Sequence, residues 1–240
     1  MIELFVLGST ELRGTRGDAS VILTQFKVLA TLVFLTLATP RGLHRRDRIV
    51  GLLWPELDQD HARTALRKAV HVLRRELGEE AIEVRGDEEI AIASGALWSD
   101  AVEFTELMSG KRHARALDLY RRGDLLPGFF LPQAGAFEDW LERERASMRD
   151  SASAAAWGLA AMHANDQKIT VSAHFARLAA ALAPSDERML RRVMQLLHNA
   201  GDRAGALHIY ANFARQLERD FDVAPSAETQ RLVAEVRGEG

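Results

Sequence analysis

The chain has 240 residues, 47% of them hydrophobic, with 31 lysines and arginines against 34 aspartates and glutamates and no cysteine. That length and apolar content suffice for two hydrophobic cores, and the lack of cysteine excludes disulfides, thiolate zinc sites, iron–sulfur clusters and thiol nucleophiles. A formal net charge of −3 excludes a protein coated in positive charge, so any affinity for nucleic acid has to come from a local patch.

The opening MIELFVLGSTEL alternates apolar with polar residues and has no basic leader, so it reads as a strand, and the chain as cytoplasmic. Strands are expected at 2–7, 10–13 and 20–24. A helix follows over 25–38, stopped by Pro40 and Gly42. Its run from Val28 to Ala38 is shorter than the ~20 apolar residues that span a bilayer, so it reads as a buried helix and no membrane partner is expected. A second helix, 44–53, turns Ile49, Val50, Leu52 and Leu53 inward and leaves Arg45, Arg46 and Arg48 in water. The third begins after Asp58 or Asp60, either of which suits an N-cap, and runs to about 77.

On this third helix Ala62, Leu66, Ala69, Leu73 and Leu77 line one face, while Thr64, Arg67, Lys68, His71, Arg74 and Arg75 crowd the other. Next, IEVRGDEEIAI at 82–92 sets Ile82 and Val84 opposite Ile90 and Ile92 across a Gly-Asp turn, a hairpin with one buried face. Sheet, three helices and hairpin make an α+β winged helix-turn-helix domain, placed at 1–97. From 98 to 240 the pattern is helical throughout. ARALDLY at 114–120 repeats as AGALHIY at 204–210, and Ser172, Ala176, Ala179 and Pro184 are spaced like the second helix of a tetratricopeptide repeat. An all-α domain of about three helical pairs is expected, giving a mainly α chain.

The basic face of the third helix lacks the glutamates four residues away that a merely soluble helix tends to carry, and it sits where a helix-turn-helix enters the major groove. Thr64, Arg67, Lys68 and His71 are the candidates for base edges, since Arg and Lys donate to guanine O6 and N7. Arg74, Arg75, Arg45 and Arg46 are candidates for phosphates, and Arg63 borders the face, where a carboxylate can claim it. Arg85 can enter a minor groove, although Asp87, Glu88 and Glu89 at the hairpin tip repel phosphates. No histidine spacing suits a metal, and neither a phosphate-binding glycine loop nor a hydrolase nucleophile elbow is present. No catalytic residue, cofactor or metal is expected.

The phrases LHRRDRIVGLLWPELD, ARTALRKAVHVLRRELG, GDLLPGFF, FEDWLERERASMR and AGDRAGALHIYANFARQLERDFDVAPSAET, in that order, resemble the Streptomyces antibiotic regulatory protein family over nearly the whole chain. Those proteins join an OmpR-type winged helix to a bacterial transcriptional activation domain. The resemblance implies that the third helix is the recognition helix. It also implies that the turn 54–58 touches RNA polymerase through Glu56 and Asp58, with the Trp54 ring in the core. It further implies that Leu125, Phe129, Phe130, Phe137 and Trp140 fix helix packing in the activation domain. The function expected is that of a non-enzymatic, sequence-specific activator acting on double-stranded DNA at repeated promoter elements. Homodimers or tandem protomers would strengthen its binding through effective concentration. The alternative is a protein-interaction scaffold whose winged helix no longer binds DNA.

Overall fold

In the computed structural model, which describes residues 1–183 and 185–238, the N-terminal sequence forms β1 (Ile2–Phe5), β2 (Glu11–Arg13), α1 (Ala19–Thr24), α2 (Phe26–Leu37), β3 (His44–Arg45), α3 (Arg46–Leu53), α4 (Gln59–Leu77), β4 (Ile82–Arg85), β5 (Glu89–Ile92), β6 (Leu97–Ser99) and α5 (Asp100–Ser109). Helix α2 is buried from Val28 to Leu37. A helix apolar on every side belongs at the centre of a core, and α1, α3, α4 and α5 pack around it. Two small sheets flank these helices, in strand orders β2-β1-β6 and β3-β5-β4. The wing register sets Ile82 against Ile92 and Val84 against Ile90, as the alternation required.

Local chemistry overrides the pattern at two places. The run 20–24, expected as a strand, lies in helix α1, because the Asp18 carboxylate accepts the Ser20 N–H at 2.8 Å and so caps it. Gln25, in extended conformation, separates α1 from α2. The second helix starts at Arg46 and not at 44. His44 and Arg45 instead pair with Ile90 and Glu89, adding a third strand to the wing. A two-residue strand leaves no periodicity to detect.

Residues 1–110 and 118–146 make one compact unit, and residues 111–117 with the described residues from 147 onward make another. The expected division at 97/98 falls inside the first unit, where β6 runs parallel to β1 and joins it to α5. Segment 124–126 continues this edge: Leu7 bridges Leu125, and the Leu126 N–H donates to the Val6 carbonyl at 2.7 Å. The chains meet so closely at Gly8 (φ +79°) that a Cβ there would lie 1.9 Å from the Arg122 carbonyl oxygen. Helix α6 (His113–Tyr120) and helix α7 (Gly135–Asn165) each contribute residues to both units. Leu125, Phe137 and Trp140 are buried, and Phe129 is half-buried with its ring on Phe137 and on Phe26. Phe130, expected to pack, is 62% exposed. Arg145 does more than pair along its helix: it donates to the carbonyls of Leu125, Leu126 and Phe129 at 2.9, 2.6 and 3.3 Å.

In the second unit α7 pairs with α8 (Ile169–Leu182) through small residues. Ala160, Ala176 and Ala179 are fully buried, Ser172 donates to the Ala160 carbonyl at 2.7 Å, and Ser153 donates to that of Ala179 at 2.9 Å. Pro184 lies outside the described residues. Helices α9 (Glu187–Asn199) and α10 (Arg203–Phe221) close over Leu190, Val193, Met194, Leu197 and Phe213. Helix α11 (Ala227–Arg237) adds Val233 and Val236 to that core. Among the described residues the second unit thus holds two tetratricopeptide-like pairs and a final helix. No helix among them is long and apolar enough to cross a membrane.

Asp100 is fully buried at the start of α5, its two carboxylate oxygens accepting the N–H groups of Val6 at 2.9 Å and Leu7 at 3.2 Å. Burial pushes its pKa above the ordinary aspartate value, against the pull of those bonds. Alanine at this position leaves two buried donors without an acceptor, so Asp100→Ala should lower unfolding stability by about 2–4 kcal/mol in urea denaturation. Asp100→Asn, which keeps one acceptor oxygen, should lose about half as much.

Candidate nucleic-acid interface

Helix α4 is held at both ends by carboxylates. At its start Asp58 accepts the His61 N–H at 3.0 Å and meets His61 Nδ1 at 2.6 Å, and these bonds hold the Asp58 carboxyl below its usual range. At its end Glu76 is buried and accepts the Asp18 N–H at 2.7 Å. Between them Ala62, Leu66, Ala69, Val70, Leu73 and Leu77 are buried, which turns Thr64, Arg67, Lys68, His71 and Arg75 into solvent. Among the described residues none of the side chains of Thr64, Arg67, Lys68 and His71 makes a hydrogen bond or an ion pair.

The start of α3, the outer side of α4 and the wing tip enclose a hollow of about 480 Å³, lined by Arg45, Arg46, Arg63 and Arg67 together with Asp47, Asp87 and Glu88. Arg63 reaches Asp47 through Nε at 3.2 Å and Nη2 at 2.9 Å, the alternative role its border position suggested. Arg45 approaches Glu88 at 3.5 Å. Arg46 is half-buried, and its buried Nε has no acceptor among the described residues. Desolvation lowers its pKa, partly offset by the charge of Asp87, and Arg67 and Arg74 add to the lowering.

The remaining basic candidates are tied down. Arg74 is half-buried, donates to the Ile82 carbonyl at 3.2 Å and lies 3.8 Å from Glu79. Arg75 is exposed but sits 2.5 Å from buried Glu76. Arg85 projects from the wing 3.7 Å from Glu89. The structure thus brings Arg45, Arg46 and Arg67 together around one hollow and turns Arg74 and Arg75 back toward the domain. Glu76 was missed from sequence, although it stands seven residues after Ala69 and three after Leu73, on the apolar stripe itself. In the 54–58 turn Trp54 is buried, as the resemblance implied, with the Lys27 ammonium 5.6 Å from its ring. Glu56 is exposed and ion-paired with Lys27; desolvation works to raise its pKa, but the hydrogen bonds from Lys27 and the backbone and the Lys27 charge together lower it, while Leu57 is 40% exposed. No group of three or more metal-ligating side chains occurs among the described residues.

If the free face of α4 serves a ligand and not the fold, Arg67→Ala with Lys68→Ala should leave stability within about 0.5 kcal/mol of the parent. Glu76→Ala, which strips Arg75 and the Asp18 amide of a buried partner, should cost about 3 kcal/mol. Chemical denaturation of the three proteins side by side decides it.

The pattern of the bacterial transcriptional activator domain matches residues 100–237. A solved structure of Mycobacterium tuberculosis EmbR, in complex with a low affinity phosphopeptide, is similar over 99% of this chain with a TM-score of 0.61 and 16% sequence identity. At that identity the likeness is one of fold, and the chain spans 65% of the length of the EmbR chain. No curated protein matches the sequence.

Proposed function

The chain belongs to the bacterial transcriptional activator domain family, and from that premise we propose that it is a sequence-specific, DNA-binding activator of transcription in the cytoplasm. The observation that carries this reading is the uncommitted face of α4. Its Thr64, Arg67, Lys68 and His71 are exposed on a rigid helix and have no hydrogen-bond or ion-pair partner among the described residues, so their donors are available to a ligand. In a helix-turn-helix that helix lies in the major groove, where Arg67 and Lys68 suit guanine edges and Thr64 and His71 suit the neighbouring pairs. Arg45 and Arg46, at the start of the preceding helix, suit phosphates and set register. Arg74, Arg75 and Arg85 border the same path, each with an internal partner to release first.

With a net charge of −3 and a small patch, one copy binds weakly, and two protomers on repeated elements gain by effective concentration. The exposed turn bearing Glu56, Leu57 and Asp58 stands away from the buried stripe of α4 and suits contact with a polymerase subunit.

On a duplex recovered by selection from a random pool, Arg67→Ala with Lys68→Ala should weaken binding at least tenfold in a shift assay, since each good base contact is worth about 1–3 kcal/mol. Parental affinity should fall steeply with added salt, with a slope of about 0.9 per phosphate contact. A scaffold that had given up DNA would show little affinity at any ionic strength. Glu56→Lys should leave this binding within about twofold, because an exposed ion pair contributes about 0–1 kcal/mol, yet reduce transcription from the same site with purified polymerase. Unchanged transcript yield would remove the turn from the mechanism.

A further inference from the structure

The acidic tip of the wing has no role in the reading above. Asp87 and Glu88 do not hang free: both line the hollow shared with Arg45, Arg46 and Arg67. The backbone fixes them there, because β3 pairs with β5, setting Arg45 beside Glu89, and the Arg46 N–H donates to the Glu88 carbonyl at 2.7 Å. From that position the Glu88 carboxylate reaches Arg45 at 3.5 Å, and Asp87 lies close enough to Arg46 to offset part of its desolvation. Carboxylate and phosphate oxygens accept from guanidinium in the same way, so one arginine cannot serve both in full.

We propose that Asp87 and Glu88 stand in for backbone phosphates beside Arg45 and Arg46, and so hold down the affinity of this domain for DNA whose bases it does not read. The inference rests on the DNA-binding reading. The Arg45–Glu88 pair is open to water, with side chains 68% and 75% exposed, so it is weak and exchangeable. A duplex that also engages Thr64, Arg67, Lys68 and His71 displaces the carboxylates. A duplex offering phosphates alone competes with them for the same two cations. This placement also accounts for an acidic tip on a wing beside a basic helix, which a wing that simply gripped phosphates would not carry.

The test uses the full chain, a fluorescent duplex of random sequence, the selected duplex and a salt series. Asp87→Asn with Glu88→Gln should raise affinity for the random duplex about tenfold at low salt and steepen the salt slope by up to about 0.9 for each arginine released. Affinity for the selected duplex should rise as well. Glu83→Gln removes one carboxylate from strand β4, where Glu83 is exposed and without an ion pair among the described residues, and should change affinity less than about twofold. In an Arg45→Ala background the gain from Glu88→Gln should vanish.

Equal effects of the tip and Glu83 substitutions, or a full gain without Arg45, would overturn the inference while leaving DNA binding intact. Failure of every protein to bind either duplex at low salt would overturn the DNA-binding reading and this inference with it.

Discussion

The burial of one side of α4 is the constraint on which the rest depends. Leu66 and Leu73 are almost completely removed from water, and a helix so anchored cannot roll. With 3.6 residues per turn, anchoring residues 62, 66, 69 and 73 decides that 64, 67, 68 and 71 point outward. The two terminal carboxylates finish the job: Asp58 satisfies the first amides, and Glu76 clamps the last turn to the loop before α1. Rigidity therefore comes from the inner face and chemistry from the outer, and the two can vary independently. The same geometry separates the cations of the helix. Near the wing and the α1 loop Arg74 and Arg75 have internal partners and at the N-terminal border Arg63 has Asp47, whereas Arg67 and Lys68 between them make no ion pair among the described residues.

The core beneath α4 is completed by sequence far downstream. Phe34 on α2 meets Trp140 at 5.1 Å between ring centroids, and Phe26 meets Phe129 at 5.7 Å. Arg145 collects three carbonyls of the loop 125–129, whose Leu125 and Leu126 lie against β1 and its continuation. The activator-domain match begins at 100, yet residues 100–110 and 118–146 belong to the same compact unit as the winged helix. A family boundary drawn on sequence and a core drawn on packing thus divide this chain differently. The physical reason is plain: β6 and Asp100 supply strand pairing and buried acceptors that the N-terminal strand cannot find within the first 97 residues.

What could be foreseen from sequence follows the length scale of each interaction. The α4 stripe, the all-round burial of α2 and the register of the wing hairpin are periodic over many residues and were legible. So was the reach of Arg63 to a carboxylate, because a border residue has few other options. The helix at 19–24 was not: VILT favours a strand, and a single cap at Asp18 together with packing on α2 and α4 decides otherwise. Strand β3 is too short to show a period, and the bonds of Arg145 run to a loop about twenty residues earlier in the chain. Glu76 was hidden for a different reason. A charged residue on an apolar stripe is ordinarily taken as a lapse in the pattern, whereas here it is the partner that a buried amide and Arg75 require.

Electrostatics then explains how a chain with more acid than base can still offer a cationic site. Around the hollow beside α4, Asp47 holds Arg63 and Glu88 attends Arg45, so most of the positive charge is answered locally. Arg46 is answered only in part: desolvation disfavours its charge, Asp87 offsets some of that, Arg67 and Arg74 add to it, and its buried Nε finds no acceptor among the described residues. Arg67 and Lys68, on α4, make no ion pair among the described residues. A polyanion gains most where compensation is least, because elsewhere it must first break an existing pair. The uneven matching of charges, more than their total, is therefore what gives the N-terminal half of α4 its cationic character within an acidic chain.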